Sequence, residues 1–582
     1  MAAANRKPSD PCNNTGSQRT WRSILARTAI VRTIVRSPGL AVLAVLALIV
    51  MSALAASDND SGNIFRPFAD DTGKVQSLPS DAALDQHNAF FDPAVSTNGQ
   101  ACVTCHQPAQ GFTIHVAATR EAFEDTDGLD PLFRPNDTAD RPDAVVSTLQ
   151  ARKDAYKLFL DLGVVRIGKT FKSPSDFTVE AQDTAQFGPL PNSNDVQHPG
   201  NPTLSLFRRP LVNTNVNFDS SVLWDGRDSI ATLATSQVPK AIQSLLLGGG
   251  TDPAANQAIA NFMTGVFTDQ VFDNGAGSLS AHGATGGVRH LLALSSDPAR
   301  PCTFAADFPS SAPVLTPFSS TCTRVDDNNP HTFGSDMFDA WANPRDQDQA
   351  ENDRDGEGRD DHGRDDRGRD RDDFRASIAR GQEIFNTAVL TQPPDLNGKL
   401  LDVGSLANGG VNADHSDRIP AGAPIHCVTC HATHNFGNNP NPNFIGRIGT
   451  DSIEILDNLV TTRSQQDPLV QEILDNVKKL PLYCLRPKTD TTPFTGIGGA
   501  TCGTHAGDVK TTDPGRAMVT GLVADVGKFK PPILRGLSAR SPFFHAGTAS
   551  DIFHLIDFYD ARFQINLTPQ QKNDLASFLE AF

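Results

Sequence analysis

Tryptophan and tyrosine are scarce in this 582-residue chain, with three of each against 34 phenylalanines. Each Trp and Tyr therefore carries more information than usual. The sequence also lacks an excess of positive charge, because 67 Asp and Glu outnumber 50 Lys and Arg and give a formal net charge of −17. Nucleic-acid binding depends on basic side chains that neutralise phosphates, so this sign argues against a nucleic-acid partner.

Apolar residues are missing altogether between Ala350 and Phe374, where Asp, Arg and Gly dominate. Such a stretch cannot bury a core, and we predict a disordered, mixed-charge linker over residues 345–373. The whole chain is too long for one core. We therefore expect a polar arm over 57–79, a domain with insertions over 80–344, the linker, and a second domain over 374–582.

The first 56 residues are typical of an export signal. Five arginines between Arg19 and Arg36 precede an apolar run from Leu40 to Ala56, which ends in small residues. This order of basic, apolar and small-residue regions predicts a cleaved signal peptide and a periplasmic protein. An uncleaved anchor is the alternative, and a membrane association is expected only in that case.

The sequence Cys-Val-Thr-Cys-His occurs twice, at Cys102–His106 and at Cys427–His431. It is the pattern for covalent attachment of a c-type haem, in which two thiols bind the porphyrin and the adjacent imidazole binds the iron. The composition of the chain would produce only about 0.004 such patterns by chance. We therefore predict two covalent haem c groups on Cys102, Cys105, His106, Cys427, Cys430 and His431. A zinc knuckle or a redox dithiol is the alternative for a Cys-x-x-Cys pair.

Four further cysteines form two local pairs, Cys302 with Cys322 and Cys484 with Cys502. In an oxidising compartment we expect each pair to form a disulfide, although sequence alone does not fix the connectivity.

Several motifs, taken together, resemble the bacterial di-haem cytochrome c peroxidases and MauG-type enzymes from about Ala82 to Phe582. They are the first haem motif with its Gly-Phe-Thr loop, Leu223-Trp224-Asp225-Gly226-Arg227, Arg380-Gly381-Gln382-Glu383-Ile384-Phe385, Pro532-Ile533-Leu534-Arg535 and Pro542-Phe543-Phe544-His545-Ala546-Gly547. The resemblance implies a mostly α-helical fold with two cytochrome-c-like haem domains, long irregular loops and insertions.

The resemblance also implies roles for individual residues. His106 would bind the active haem and His431 the second haem, which takes in or stores electrons. Trp224 would be the electron-transfer bridge between them, although a buried core Trp is the alternative. Arg535 and His545 would lie in the haem environment and bond the propionates.

Tyr559 occupies the position at which the peroxidases of this family place the sixth ligand of the second haem, a Met. MauG-type members have Tyr there. A phenolate stabilises the ferric state, whereas a thioether raises the potential. We therefore predict that Tyr559 is a metal ligand. Simple packing of Tyr559 in an aromatic helix is the alternative.

One feature of the family is missing beside the first haem motif. Its peroxide-using members carry an acidic residue and a Gln after Trp-Asp-Gly-Arg, and here no Glu occurs between Asp228 and Phe272. Gln237 is the nearest candidate for a catalytic Gln, with Gln243, although neither has the family spacing. His115 is the candidate for a distal residue at the first haem.

These predictions converge on an exported oxidoreductase that reacts with hydrogen peroxide at the His106 haem and exchanges electrons with the His431 haem. Its redox partner would be a small cytochrome or a cupredoxin. The alternatives are a MauG-like oxidase or oxygenase of a protein or organic substrate, and a non-enzymatic di-haem electron carrier. The resemblance also implies a Ca²⁺ ion between the domains, which the side chains neither support nor exclude.

Overall fold

The structure is a computed structural model that describes residues 63–170, 172–182, 187, 203–219, 221–250, 252–295, 335–342, 366–391, 426–431, 435–437, 446–462, 467–490 and 508–582. The predicted signal segment, Cys302, Cys322, Cys502 and residues 345–365 of the predicted linker lie outside these residues. Ile64–Phe582 form one compact unit. Within the described ranges, no helix combines the length and hydrophobicity needed to cross a membrane.

Short helices alternate with irregular segments along the described chain. The helices are α1 (Cys102–Cys105), α2 (Val116–Thr126), α3 (Leu149–Ala155), α4 (Lys157–Leu162), α5 (Val238–Ser244), α6 (Pro253–Gly265), α7 (Val288–Ser295), α8 (Asp366–Thr387), α9 (Cys427–Cys430), α10 (Ile453–Thr462), α11 (Pro468–Val477), α12 (Ala517–Thr520), α13 (Ile552–Phe563) and α14 (Pro569–Glu580).

The strands contradict the expected fold class. They are β1 (Phe68–Ala69), β2 (Gly73–Pro79), β3 (Val165–Thr170), β4 (Phe177–Gln182), β5 (Thr203–Arg208), β6 (Ser221–Val222), β7 (Asp228–Ser229), β8 (Val266–Asp273), β9 (Gly277–Ser278), β10 (Tyr483–Pro487) and β11 (Val509–Thr511). In the described residues these strands form four sheets, the largest in the order β1-β2-β8-β9. The prediction of a mostly α-helical fold is wrong, and the described chain is a mixed α/β structure.

Strand β2 shows why the prediction failed. Residues 73–79 belong to the segment that we expected to be a polar arm, but Val75 is fully buried and its neighbours alternate with it. This period of two is the strand pattern. The partner is β8, with Val75 opposite Gln270, and the Ser77 and Thr268 hydroxyls lie 2.7 Å apart. Because the partner strand is so distant in sequence, local spacing did not reveal the sheet.

A second sheet joins segments from the two expected domains. Strand β10 pairs with β11 on one side and with β4 on the other, so that Tyr483 lies opposite both Thr511 and Gln182. Cys484 in β10 is disulfide-bonded.

Helix α8 begins inside the segment predicted to be a disordered linker. Residues 366–373 are helical, and Arg375 pairs with Asp372 at 3.5 Å, three residues away. Such i,i+3 pairs support a charged helical turn. Further along the helix, the apolar residues Ile378 and Phe385 are buried. The packing of this part of the helix stabilises its charged beginning.

Helices α8 and α14 cross at Gly381, where a β-carbon would overlap the Asp574 carbonyl oxygen. Beside this crossing, Arg380 holds the Asp574 carboxylate with two hydrogen bonds of 2.9 and 2.8 Å. Helix α14 begins at the Thr568 N-cap, which exchanges hydrogen bonds with Gln571. The hydrophobic cluster around these helices also contains Val428 of α9 and packs against Tyr559 of α13.

Candidate functional site

The two Cys-Val-Thr-Cys-His segments have the same local structure. Each forms a single helical turn, α1 or α9, that ends at its histidine. The His106 Nδ1 atom lies 3.1 Å from the Phe112 carbonyl oxygen, and the His431 Nδ1 atom lies 2.9 Å from the Phe436 carbonyl oxygen. Phe112 and Phe436 both adopt left-handed backbone angles, with φ of 57° and 54°. The identical sequences thus fold into matching imidazole environments.

This geometry prepares each imidazole to bind a metal. When Nδ1–H donates to a carbonyl oxygen, Nε2 keeps its lone pair. Burial lowers the pKa of His106 and of His431 to about 4, against weaker opposite effects of carbonyl acceptors, so both rings are neutral at neutral pH. A neutral imidazole is the form that binds metal ions.

The four motif cysteines are free thiols. Burial raises the pKa of each of them well above its usual value, which keeps them protonated. Among the described residues, no group of three or more His, Cys, Asp or Glu side chains is arranged to hold a metal ion.

A large cavity opens beside the second motif. Its wall contains Cys427, Cys430, His431 and Tyr559, and most of the remaining lining is Phe, Leu, Ile and Pro. The volume of this cavity is about 200 Å³. On the same measure, one buried water needs only about 10–15 Å³. The cavity therefore suits a large hydrophobic ligand within reach of two thiols and an imidazole.

Tyr559 reaches this cavity from helix α13. Its ring stacks on Phe563 at 5.7 Å and lies 6.2 Å from Phe544. Burial raises the pKa of Tyr559, and the nearby sulfurs of Cys430 and Cys427 raise it further. A phenolate at this position therefore requires a compensating cation. The structure brings Tyr559 to the same cavity as the second motif.

Two buried arginines on the cavity wall have no carboxylate partner among the described residues. Arg209 donates to the carbonyl oxygens of Gly163, Ile114 and Arg540, and Arg540 donates to that of Ile533. Burial lowers the pKa of each guanidinium to about 9, and the charge of Arg209 adds to the effect on Arg540. The Arg540 Nε atom has no hydrogen-bond partner in the described structure. Two such cations beside a hydrophobic cavity favour a ligand that carries carboxylates.

His545 and Trp224 lie next to each other on the same wall. The His545 ring stacks on Phe529 at 4.0 Å and meets the Trp224 ring edge-on at 6.3 Å. The His545 Nε2 atom is buried without a partner among the described residues. Burial lowers the pKa of His545 to about 4, so it is a neutral side chain with one atom left to bond a ligand.

Trp224 is held in a tightly constrained loop. Its indole N–H donates to the Arg209 carbonyl oxygen at 2.8 Å. The next residue, Asp225, is fully buried and accepts from Arg208 at 2.8 Å and from Arg227 at 2.6 Å. Burial alone would raise the pKa of Asp225, but Arg227 and Arg208 lower it below its usual range. Arg208 also binds Asp513 through two hydrogen bonds of 2.6 and 2.9 Å.

Leu223, the residue before Trp224, shares a hydrophobic cluster with the first motif. Leu223 and Cys102 both pack against a cluster that contains Phe90, Phe112 and Phe262. Phe90 also lies 6.4 Å from the His106 ring. The Trp224 loop thus contacts the surroundings of the first motif through Leu223 and the cavity of the second motif through Trp224.

A smaller cavity adjoins this first-motif cluster. It is lined by Gln237, Asn213, Met263 and Lys530, among others, and its volume is about 40 Å³. Gln237 ends a π-helical turn (Leu233–Gln237), a distortion that is frequent at functional sites.

Two predicted site residues are bound to protein groups elsewhere. Arg535 pairs with Asp269 at 2.8 Å, and its guanidinium lies 4.9 Å above the Phe436 ring, outside the lining of the large cavity. His115 caps α2, with Nδ1 accepting from the Ala117 N–H and Nε2 bonded to the Ser541 hydroxyl at 2.7 Å. The structure does not bring His115 to either cavity.

Arg209, Arg540 and Lys530 are the site residues that the sequence analysis missed. Arg209 and Lys530 each directly precede a proline and Arg540 lies two residues before one, and this was the available signal. Their charges become informative only when burial and partners are known.

No family model matches this chain, and no curated protein matches it at a significant level.

Proposed function

We propose that the protein is an exported di-haem c-type oxidoreductase of the peroxidase type. One haem would be attached to Cys102, Cys105 and His106 and the other to Cys427, Cys430 and His431. The large cavity carries this proposal, because it combines free thiols, a neutral imidazole, a tyrosine and two uncompensated guanidiniums in one hydrophobic space. When bound, a haem supplies a redox-active iron that exchanges single electrons and activates peroxide.

The chain's own residues would position the second haem. Cys427 and Cys430 would attach it, and His431 would bind its iron through Nε2, because Nδ1 is bonded to the Phe436 carbonyl oxygen. Arg209, Arg540 and His545 would offer N–H groups to its carboxylates. Tyr559 would supply an oxygen ligand, and the positive metal would stabilise a phenolate that burial otherwise disfavours.

Trp224 would mediate electron exchange between the two sites. Its loop contacts the first-motif cluster through Leu223, and its ring lines the large cavity. The hydrogen bond from its indole N–H to the Arg209 carbonyl oxygen fixes the ring orientation. A rigid bridge keeps the distances for electron transfer constant.

The first site would be the peroxide-reactive one. Gln237 lines a small cavity beside the first-motif cluster, and its amide could orient a small polar oxidant there. At the second site, by contrast, Tyr559 is available as a sixth ligand. This asymmetry supports separate roles for two motifs of identical sequence.

A second candidate function is oxidation of a protein or organic substrate in the manner of MauG-type enzymes. The position of Tyr559 on the cavity wall favours it, because an oxygen ligand stabilises higher oxidation states of a second metal centre.

Both candidates are tested by mixing the ferric holoprotein with hydrogen peroxide and following the haem absorption bands. We expect the bands of the first haem to change, followed by oxidation of an added electron donor. A Gln237→Leu variant should react more slowly, whereas a Gln243→Leu variant should react at the normal rate, since Gln243 lies outside the lining of the small cavity. If neither band changes and no donor is oxidised, the proposed peroxidase function fails.

A further inference from the structure

Strand β7 carries a buried carboxylate, that of Asp228, directly after the Trp-Asp-Gly-Arg motif. The Asp228 side chain is only 6% exposed, and its Oδ2 atom is buried without a hydrogen-bond partner in the described part of the chain. A buried carboxylate oxygen without a partner is costly, because it has lost its hydration and gained no other donor. Such an atom is typical of a group that contacts a ligand or transfers protons.

A chain of hydrogen bonds connects this carboxylate to the surface. The Lys240 ammonium donates to the Ser236 hydroxyl at 2.7 Å, and this hydroxyl donates to Asp228 Oδ1 at 2.5 Å. Lys240 Nζ also lies 3.4 Å from Asp228 Oδ1. The Lys240 side chain is 62% exposed, so its ammonium protons exchange with water. Each donor in the chain points towards the buried carboxylate.

Asp228 also lies beside the small cavity of the first site. It is opposite Val222 in the antiparallel pair of β6 and β7, and opposite residues share one face with their β-carbons about 4.5–5.5 Å apart. Val222 lines the small cavity and belongs to the cluster against which Cys102 packs. Ser236 directly precedes Gln237, which lines the same cavity. The carboxylate is therefore next to the cavity wall and two hydrogen bonds away from an exposed ammonium.

The family members that use peroxide carry an acidic residue after Trp-Asp-Gly-Arg, at a spacing that this sequence does not reproduce. We propose that Asp228 is the proton-transfer group of the first site and that Ser236 and Lys240 supply it with protons from solvent. This inference deepens the proposed function and rests on it.

The proton relay matches the demands of peroxide reduction. Reduction of one H₂O₂ to two waters breaks the O–O bond and takes up two protons, together with two electrons from the haems and the external donor. Asp228 gives a proton to the departing oxygen. Ser236 then passes its hydroxyl proton to Asp228 and receives one from Lys240, which water protonates again.

Ligand binding tests the proton transfer without turnover. HCN gives up a proton when it binds to ferric haem, whereas carbon monoxide has no proton to lose when it binds to ferrous haem. We expect Asp228→Asn to slow cyanide binding to the first haem on the order of 100-fold and to leave carbon monoxide binding unchanged. The S236A/K240M double variant should slow cyanide binding by about 10-fold, since water replaces the relay only in part. Unchanged cyanide binding in either variant would overturn the inference.

Ser244→Ala is the matched control for the relay. The exposed Ser244 hydroxyl donates to the Lys240 carbonyl oxygen at 2.7 Å and has no bond to Asp228. It should bind cyanide at the normal rate. If Asp228→Asn does not fold, the S236A/K240M double variant decides, because it leaves the carboxylate in place.

Peroxide reduction separates this inference from the proposed function. If the wild-type holoprotein does not react with H₂O₂, both are wrong. If it reacts and Asp228→Asn reacts equally fast, only the inference is wrong. Peracetic acid should restore most of the rate that Asp228→Asn loses with H₂O₂, because acetate leaves without taking up a proton. An equal loss with both oxidants would show that Asp228 has a structural role only.

Discussion

Tyr559 is the side chain on which the proposed chemistry of the second site depends most. The chain has only three tyrosines, and this one faces the cavity that contains Cys427, Cys430 and His431. The resemblance to the di-haem family predicted the ligand role, and the structure adds that Tyr559 lines the same cavity as the second motif. The role as a ligand stays a prediction.

Replacement of Tyr559 by Phe removes the oxygen ligand and keeps the ring. We expect a changed absorption spectrum and a rise in the midpoint potential of the second haem on the order of 0.1 V, because phenolate ligation favours the ferric state. Spectroelectrochemical titration measures both. Tyr156→Phe is the matched control, since Tyr156 is buried in a different hydrophobic cluster. A Tyr559→Phe protein with an unchanged spectrum would leave Tyr559 as a packing residue.

His554 gives the stability a defined pH dependence. It lies between Asp551 at 2.7 Å and Glu472 at 3.0 Å. Burial alone would lower its pKa, but these two carboxylates raise it above the usual value. A raised pKa in the folded state means that the stabilisation is fully present below about pH 6.5 and is lost as the pH rises through the folded-state pKa.

We therefore expect His554→Gln to destabilise the protein by roughly 0.5–1 kcal/mol at about pH 5.5 and by less at about pH 8.5, since both carboxylates are half-exposed. Denaturant unfolding at the two pH values measures the difference. His87→Gln removes a more exposed pair with Asp85 and should have a smaller effect. An equal loss at both pH values would show that the carboxylates do not stabilise a protonated His554.

At the scale of elements, the crossing of α8 and α14 depends on Gly381. In an isolated helix, Ala would be more favourable than Gly by about 1 kcal/mol. Here the added β-carbon would overlap the Asp574 carbonyl oxygen, so Gly381→Ala should destabilise the protein by at least about 1–3 kcal/mol. Thermal unfolding gives the sign directly. Gly168→Ala in β3 is the control, because its β-carbon would meet only a Thr203 methyl group at 3.5 Å.

The elements that the sequence predicted well are those with local signals. The Thr568 cap and Pro569 at the start of α14 are such a local signal, because Thr is a preferred N-cap residue and Pro a preferred first helical residue. Strands β2 and β8 were missed because their pairing, Val75 with Gln270, is set by contacts between distant segments. The charged start of α8 was missed because composition does not report the packing of Ile378 further along the helix.

The candidate site, like the fold, could be predicted only in part. Both Cys-Val-Thr-Cys-His motifs are local patterns, whereas Trp224, His545 and Tyr559 were predicted from the family resemblance. The structure places these three side chains on one cavity with the second motif. The pairing of Arg535 with Asp269 and the lack of a carboxylate partner for Arg209 and Arg540 among the described residues could not be predicted. Partner identity depends on tertiary contacts that a residue type does not encode.

For the whole molecule, the proposal requires one haem per motif. We expect the wild-type protein to contain two covalent haems, and C102A/C105A and C427A/C430A to contain one each. Haem staining of the denatured protein shows whether haem is covalently bound, and the pyridine haemochrome assay measures the number of haems per chain. The control is Cys484→Ala, which should retain both haems because Cys484 lies in a strand outside both motifs. Two haems in either double variant would contradict the assignment.

The most direct test of the central claim is an electron paramagnetic resonance spectrum of the ferric holoprotein, because it reports the coordination of both sites together. We predict two ferric haem signals: one high-spin signal from the His106 site that responds to an added exogenous ligand, and one six-coordinate signal from the His431 site that depends on Tyr559. Absence of ferric haem signals, or two six-coordinate signals that no added ligand changes, would contradict the claim that this chain has one reactive and one electron-storing haem.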